Sequence, residues 1–184
     1  MADLIARSPA EGLLPKTVGA LKLTEAPMVP MWGISPHAGE VAQASSALET
    51  ACGLSLPGPG RMGVAGAVAV MWFGRNRWLV IGAEGLGEVA RYAAVTDQSD
   101  AWVSVSVGGA AGAEVMARLV PVDLRASAFP VGSVVRTEVY HMQAAIARTG
   151  AEELRVLCFR SMAGTLVHDL VQAGEAVAAR AKGH

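Results

Sequence analysis

This sequence is short of charge. Asp, Glu, Lys and Arg make up 17% of its 184 residues, while apolar residues make up 52%. An average globular chain carries about 25% charged residues. Charged side chains cover solvated surface, so the deficit implies either a very large core or an outside buried against partners. A very large core is hard to build at this length, which favours partners. A bias toward alanine and glycine accounts for part of the same figure.

Other absences narrow the function. The 15 Lys and Arg residues are scattered and net charge is -1, so no basic stripe offers itself to a nucleic acid or an anionic membrane. There are two cysteines, Cys52 and Cys158, far apart and in apolar settings. They read as reduced core thiols of a cytoplasmic protein rather than a disulfide framework. No run of about 18 uninterrupted apolar residues exists, which argues against a membrane-spanning helix. Asp3 and Glu11 interrupt any signal-peptide pattern. His37, His141, His168 and His184 are widely spaced and join no cluster of Cys or further ligands, Glu40 after His37 being isolated, which argues against a zinc site.

What is present is a regular alternation of short elements. Residues 1–15, with Pro9, Gly12 and Pro15, read as an extended N-terminal arm. Residues 16–23 and 24–34 suggest strands, the second peripheral because of Pro27 and Pro30. Val41, Ala44, Leu48 and Cys52 recur at helical spacing, predicting a helix over 37–52 that Gly53 ends. Strands are expected over 66–73 and 77–82, joined by a hairpin turn at Gly74-Arg75-Asn76, with a short helix from Leu86 to Ala93. In the second half, Val103, Val105 and Val107 alternate with Ser104 and Ser106, the mark of a strand with two different faces. A helix should run to Val120, followed by strands over 133–141, 143–148 and 153–159, with Thr149-Gly150 turning between the last two. Ser161 caps a final helix, which Gly174 interrupts before an alanine-rich tail. Each half thus reads strand, helix, strand, strand, helix. This predicts an α+β fold of two tandem units with mainly antiparallel sheets, divided as arm 1–15, first lobe 16–95, second lobe 96–175 and tail 176–184.

The chemistry-bearing candidates are few. The junction Gly108-Gly109 to Gly112 places glycines before a helix N-terminus, but the spacing matches neither dinucleotide nor P-loop motifs; a tight turn explains it. Ser161, His168 and Asp169 have the residue types of a triad without a nucleophile elbow. Cys158 points inward from a strand. Asp97 and Asp100, flanking Gln98-Ser99, could act as an acid–base pair, or form a turn closed by Asx hydrogen bonds.

A run of segments resembles one family. Residues 96–103, Thr-Asp-Gln-Ser-Asp-Ala-Trp-Val, resemble the most recognisable stretch of the gamma subunit of heterotetrameric sarcosine oxidase. In the same order follow Leu119-Val120-Pro121-Val122-Asp123-Leu124, Ala128-Phe129-Pro130-Val131-Gly132, Val135-Arg136-Thr137, Tyr140-His141-Met142 and Phe159-Arg160-Ser161. Trp78 to Gly82 fits an earlier strand of the family, so the resemblance covers roughly residues 16–175. It implies a fold similar to the folate-binding aminomethyltransferase, or T-protein, of glycine cleavage. Asp97-Gln98-Ser99 is similar to the Asp-x-Ser of those transferases, and Asp123 to the Asp after their first helix. The transferases' loop with the catalytic acid is replaced here by His141 to Arg148, which holds no carboxylate, and the chain is about half a transferase's length. A fold without its site does not carry the function.

The resemblance therefore implies a non-catalytic subunit, with no cofactor and no metal of its own, in a complex that oxidises sarcosine to glycine, hydrogen peroxide and a one-carbon unit. The expected partners are the alpha subunit, as main contact, and the beta and delta subunits, which carry FAD, FMN, NAD and tetrahydrofolate. Phe129, Arg136, His141, Arg160 and the arm are the candidate interface. Two rival readings stand beside it. One is the equivalent subunit of a related complex such as N-methylglutamate dehydrogenase. The other is a free-standing folate-binding module gripping a pterin through Asp97 or Glu138.

Overall fold

A computed structural model describes residues 5–181. Eleven strands form two antiparallel sheets. The chain enters through β1 (Lys16–Val18) and β2 (Leu21–Glu25), then β3 (Met31–Pro36), α1 (Val41–Cys52), β4 (Met62–Ala65), β5 (Val68–Gly74), β6 (Arg77–Ile81), a 3-10 turn (Gly87–Arg91) and β7 (Ala93–Asp97). The second half runs β8 (Trp102–Gly108), α2 (Gly112–Met116), β9 (Val134–Val139), β10 (Met142–Gly150), β11 (Glu153–Phe159), a 3-10 turn (Arg160–Met162) and α3 (Ala163–Ala181). The α+β, mainly antiparallel class expected from the pattern is what the chain adopts.

The sheet orders expose a duplication. One sheet runs β1-β2-β8-β11-β10-β9 and the other β4-β5-β6-β3-β7. In each, a strand leading into a helix (β8 or β3) lies beside the last strand of a three-stranded meander (β9-β10-β11 or β4-β5-β6). Both meanders even share a register shift near their second turn, at Arg148/Gly150 and Trp72/Gly74. The outer neighbour of the leading strand differs in origin. In the five-stranded sheet β7 pairs with β3 after the meander, whereas in the six-stranded sheet β2 pairs with β8 from ahead of it. Residues 16–25, read as the start of the first lobe, therefore complete the sheet of the second half.

Period-two patterning sorts side chains into three apolar layers. Val103, Val105 and Val107 of β8, with Ala144 and Ile146 of β10 and Val156 and Cys158 of β11, meet α2 and α3. Trp102, Ala145, Ala147 and Leu157, on the opposite face, pack against Met31, Met71, Leu79 and Ile81 of the other sheet. That sheet's outer face, with Ile34, Val70 and Val80, covers Ala44 and Leu48 of α1. The order is helix, sheet, sheet, helix, with each fully buried large apolar side chain contributing about 1.5–3 kcal/mol.

Local departures from the sequence reading have local causes. Residues 16–23, expected as one strand, form a hairpin turning at Gly19-Ala20 whose second strand runs on to Glu25. Helix α1 starts at Val41 because the N–H of His37 bonds the Tyr92 carbonyl (2.9 Å) and Gly39 sits at φ 82°. Gly53 ends it as expected, at φ 74° with its N–H on the Glu49 carbonyl. Helix α2 stops at Met116, its continuation tightening into the i+3 bonds Arg118 to Val115 and Leu119 to Met116 before Pro121. The second hairpin turns at Ala151-Glu152, after Gly150. Gly174 does not interrupt α3: a Cβ there would lie 2.7 Å from Leu21 Cδ2, so the glycine lets the helix press onto the β1–β2 hairpin. Residues 176–181, read as a tail, are its last turns; His184 and Asp3 lie outside the described residues. No described helix is long and apolar enough to cross a membrane.

Candidate functional site

A constellation of polar and aromatic side chains lies between the two sheets. Phe73 at the end of β5, Trp102 at the start of β8 and Phe159 at the end of β11 form a ladder. The Phe73 and Trp102 rings meet edge to face at 5.0 Å, and Trp102 stacks on Phe159 at 5.0 Å. The Arg136 guanidinium, from β9, lies 4.3 Å above the Phe73 ring and 5.7 Å from Trp102, within cation–π range. The Trp102 indole N–H donates to Gln98 Oε1 (3.1 Å). These groups line a cleft of about 470 Å³ that also reaches Ser35, Arg77 and Thr96. Arg136 Nη1 is shielded from solvent and has no hydrogen-bond partner. Burial lowers the Arg136 pKa. Glu138, two residues along the strand, accepts from Gln143 Nε2 (2.7 Å) instead.

Of the sequence-predicted interface residues, Arg136 alone lines this cleft. Phe129 is buried in the core beneath α2 and α3, 6% exposed, so its ring serves packing and offers no face to a partner. The family segment that singled it out is here a packing segment. His141 is exposed at the β9–β10 turn, beside Tyr140 (52% exposed, φ 49°). Arg160 follows β11 and acts within the chain: its guanidinium donates to the Arg7 carbonyl and lies 3.6 Å from an Asp100 carboxylate oxygen. It thereby ties the N-terminal segment to the β8 edge. That segment is itself anchored, since Glu25 accepts from Ser8 Oγ (2.6 Å) and the Ala10 N–H (2.9 Å). The aromatic ladder was legible only in part: Trp102 and Phe159 stood inside motifs singled out in sequence, but Phe73 lies far away in the chain and nothing local linked them.

The catalytic candidates are spent on structure. Asp97 accepts from both the N–H (2.9 Å) and Oγ (2.6 Å) of Ser99. This is the Asx turn, and the hydroxyl and amide bonds lower its pKa, opposite to what a general acid needs. Asp123 is gripped by Arg125 through Nε (2.9 Å), Nη2 (2.5 Å) and the backbone N–H (3.0 Å). The Arg125 side chain first, then its N–H, lower the Asp123 pKa to about 2. Cys158 is buried, and desolvation pushes its thiol up to about 11, the reverse of a reactive thiolate. Ser161 is exposed, and no side-chain hydrogen bond caps the 3-10 turn that holds it. The Gly108-Gly109 turn precedes a five-residue helix, too short to build an anion site. Among the described residues no three His, Cys, Asp or Glu side chains gather as a metal site.

The Asp123 geometry yields a pH expectation. Its folded pKa lies below the ordinary 3.8, so whatever stability the pair lends is complete above the ordinary value and is lost as pH falls through about 2. A carboxyl-carbon NMR titration is expected to place the Asp123 midpoint near 2. In Arg125→Ala the midpoint should return to about 3.8–3.9. An unshifted midpoint in the unsubstituted protein would refute the pairing in solution.

A folate-type pterin site would need a carboxylate inside the intersheet cleft. Asp97 and Glu138 are both exposed, each is already hydrogen-bonded, and neither lines the cleft. The residues present do not fit such a group.

The model of the sarcosine oxidase gamma subunit family matches residues 37–176. The chain belongs to this family. It is 28% identical over 180 residues to sarcosine oxidase subunit gamma of an Arthrobacter species, covering 91% of this chain and 89% of that one. To the subunit gamma of Corynebacterium sp. strain P-1 it is 29% identical over 186 residues, covering 92% and 90%. Among solved structures it is similar to a chain of heterotetrameric sarcosine oxidase from Corynebacterium sp. U-96, solved in complex with pyrrole 2-carboxylate. The TM-score is 0.80 at 25% identity, over 94% of this chain and 96% of that one. The aminomethyltransferase T of the glycine cleavage system from Bartonella henselae has a TM-score of 0.57 at 13% identity, over 83% of this chain and 46% of that one. This gamma family therefore shares its fold with a little under half of that transferase.

Proposed function

We propose that the chain is a non-catalytic subunit of a sarcosine oxidase complex. In it the larger subunits oxidise sarcosine to glycine, with hydrogen peroxide and a one-carbon unit as the other products. The carrying observation is the end-to-end match: the family model covers 37–176, and the fold aligns with nearly all of a chain of the Corynebacterium oxidase. The local chemistry agrees, because Asp97, Asp123 and Cys158 are committed to a turn, an ion pair and a core. In this reading the alpha subunit is the main contact, beta and delta complete the heterotetramer, and the partners carry FAD, FMN, NAD and tetrahydrofolate. The assembly is cytoplasmic. The test is to express the tagged chain in its native cytosol, purify it, and record mass and absorbance spectra. A yellow complex with three partners and sarcosine-dependent peroxide production is expected. A colourless monomer would overturn the proposal.

Within this reading the β9–β10 turn, with Tyr140 and His141, is placed at the alpha contact. Both side chains are exposed, and an aromatic pair on a protruding turn is the composition of an interface anchor. His141→Asp is expected to change the isolated chain's stability by under about 0.5 kcal/mol. The same change should weaken assembly by about fivefold or more, read as subunit release on size exclusion at falling concentration. Unchanged assembly would remove the turn from the interface.

A further inference from the structure

We propose that the intersheet cleft is a binding site for a small planar carboxylate, with Arg136 as the group that receives its charge. Three observations converge there. The Arg136 guanidinium lies 4.3 Å from the Phe73 ring centroid and 5.7 Å from that of Trp102, and its Nη1 has no hydrogen-bond partner. Among the described residues no salt bridge engages it; a buried donor without an acceptor is costly and calls for a ligand or ion. The cleft is cationic: Arg77 and Arg136 line it and no Asp or Glu does. Its walls combine the aromatic ladder with the polar side chains of Ser35, Thr96 and Gln98, and its volume of about 470 Å³ falls in the range of small-molecule pockets, about 300–1,000 Å³.

The ladder explains the shape of the ligand. Phe73 and Trp102 stand edge to face, while Trp102 and Phe159 lie within 17° of parallel. A flat conjugated body can therefore lie along the aromatic surface with its carboxylate on the Arg136 fork, which matches two carboxylate oxygens. Gln98 keeps its amide N–H groups free, since its oxygen is taken by the Trp102 indole. A partner's acidic side chain is the rival occupant. The place of Arg136 in a cleft lined by strands of both sheets, rather than on an open face, favours the small molecule. The inference stands apart from the subunit assignment, because the site is built wholly from this chain.

The experiment titrates the full-length chain with benzoate, with uncharged benzamide as control, following tryptophan fluorescence and calorimetric heat. Benzoate is expected to bind about tenfold or more tightly than benzamide, the discrimination of a charge-assisted pair. Arg136→Met should abolish that preference. Arg136→Lys, which keeps the charge and loses the fork, should recover only part of it. Arg77→Met, at the solvent end, guards against a folding defect and should weaken benzoate by a smaller factor. Equal binding of benzoate and benzamide, or a benzoate affinity untouched by Arg136→Met, overturns the proposal. So does binding by the isolated chain that vanishes in the assembled complex, an outcome that would give the cleft to a partner's side chain.

Discussion

Replacing Arg148 with methionine is expected to destabilise the chain by about 2–5 kcal/mol, the cost of orphaning two or more buried carbonyls. Arg148 is 3% exposed on β10. Its guanidinium donates to three backbone carbonyls, those of Phe129 (2.6 Å), Leu124 (2.5 Å) and Ala151 (2.9 Å). Two of these belong to the irregular run between α2 and β9, which has no ladder to satisfy its own backbone. Leu124 and Phe129, at 3% and 6% exposure, plug that run into the core, and Arg148 closes the hydrogen bonds their burial leaves open. Methionine fills the stem but donates nothing. For a chain of this length about 1 kcal/mol moves Tm by about 2–4 °C, so a fall of about 5–15 °C is expected in calorimetry or thermal circular dichroism. Arg148→Lys should recover little, because an ammonium cannot span three divergent carbonyls. A shift within about 0.5 kcal/mol, the range of inert surface changes, would show that the loop is held by other means.

Arg148 also marks where sequence reading stops. A strand was expected over residues 143–148, an apolar run between Gln143 and Arg148. Nothing in that run says that its arginine turns inward, because the partners are backbone atoms 19 and 24 residues away. The same limit governs topology. The strands themselves were mostly legible from Val, Ile and Trp runs, as was the antiparallel α+β class. The pairing of β2 with β8 was not, because it joins segments about 80 residues apart that carry no mutual signal. Strands β4 and β7 were missed for a different reason. Met62-Gly63-Val64-Ala65 and Ala93-Ala94-Val95-Thr96-Asp97 are poor in β-branched residues, and they become strands only because β5 and β3 offer an edge.

The candidate site divides the same way. The family segments contain Trp102, Arg136 and Phe159, of which only Arg136 was expected at an interface, and the fold brings all three to one cleft. Phe129 came from the same set of motifs and lies in the core, since a motif is preserved by packing as readily as by contact with a partner. The Asp97-Gln98-Ser99 turn was one of the two readings the sequence offered, and it could be read at all because an Asx turn is a local structure whose hydrogen bonds lie two residues apart. Unpartnered Arg136 Nη1 could not have been foreseen: being without an acceptor is a property of three-dimensional surroundings.

Gly109→Ala is the second substitution expected to be severe, at about 2–5 kcal/mol from left-handed backbone strain and steric overlap together. Gly109 sits at φ 85°, and a Cβ built on it would lie 2.2 Å from the Ala20 carbonyl oxygen. That atom is backbone in the turn between β1 and β2, so no side-chain rotation relieves the contact. The glycine pair after β8 thus does not cradle an anion. It lets the end of β8 slide under the hairpin that arrives from ahead of the duplicated unit. The β2–β8 pairing, with Lys22 opposite Gly108 and Leu23 opposite Val107, depends on that close approach. Relieving the overlap requires the β1–β2 turn to lift, which would also loosen Leu21 and Leu23 from the core under α3. Native-state hydrogen exchange is therefore expected to show protection lost in β1 and β2 before β9 and β10. Gly39→Ala serves as a matched control: its φ is 82° and nothing lies within 4 Å of its Cβ. Its cost should be the backbone share alone, about 1–2 kcal/mol. If Gly109→Ala costs no more than Gly39→Ala, the overlap with Ala20 is not what the glycine avoids. The close approach would then have no part in holding the extra hairpin to the duplicated fold.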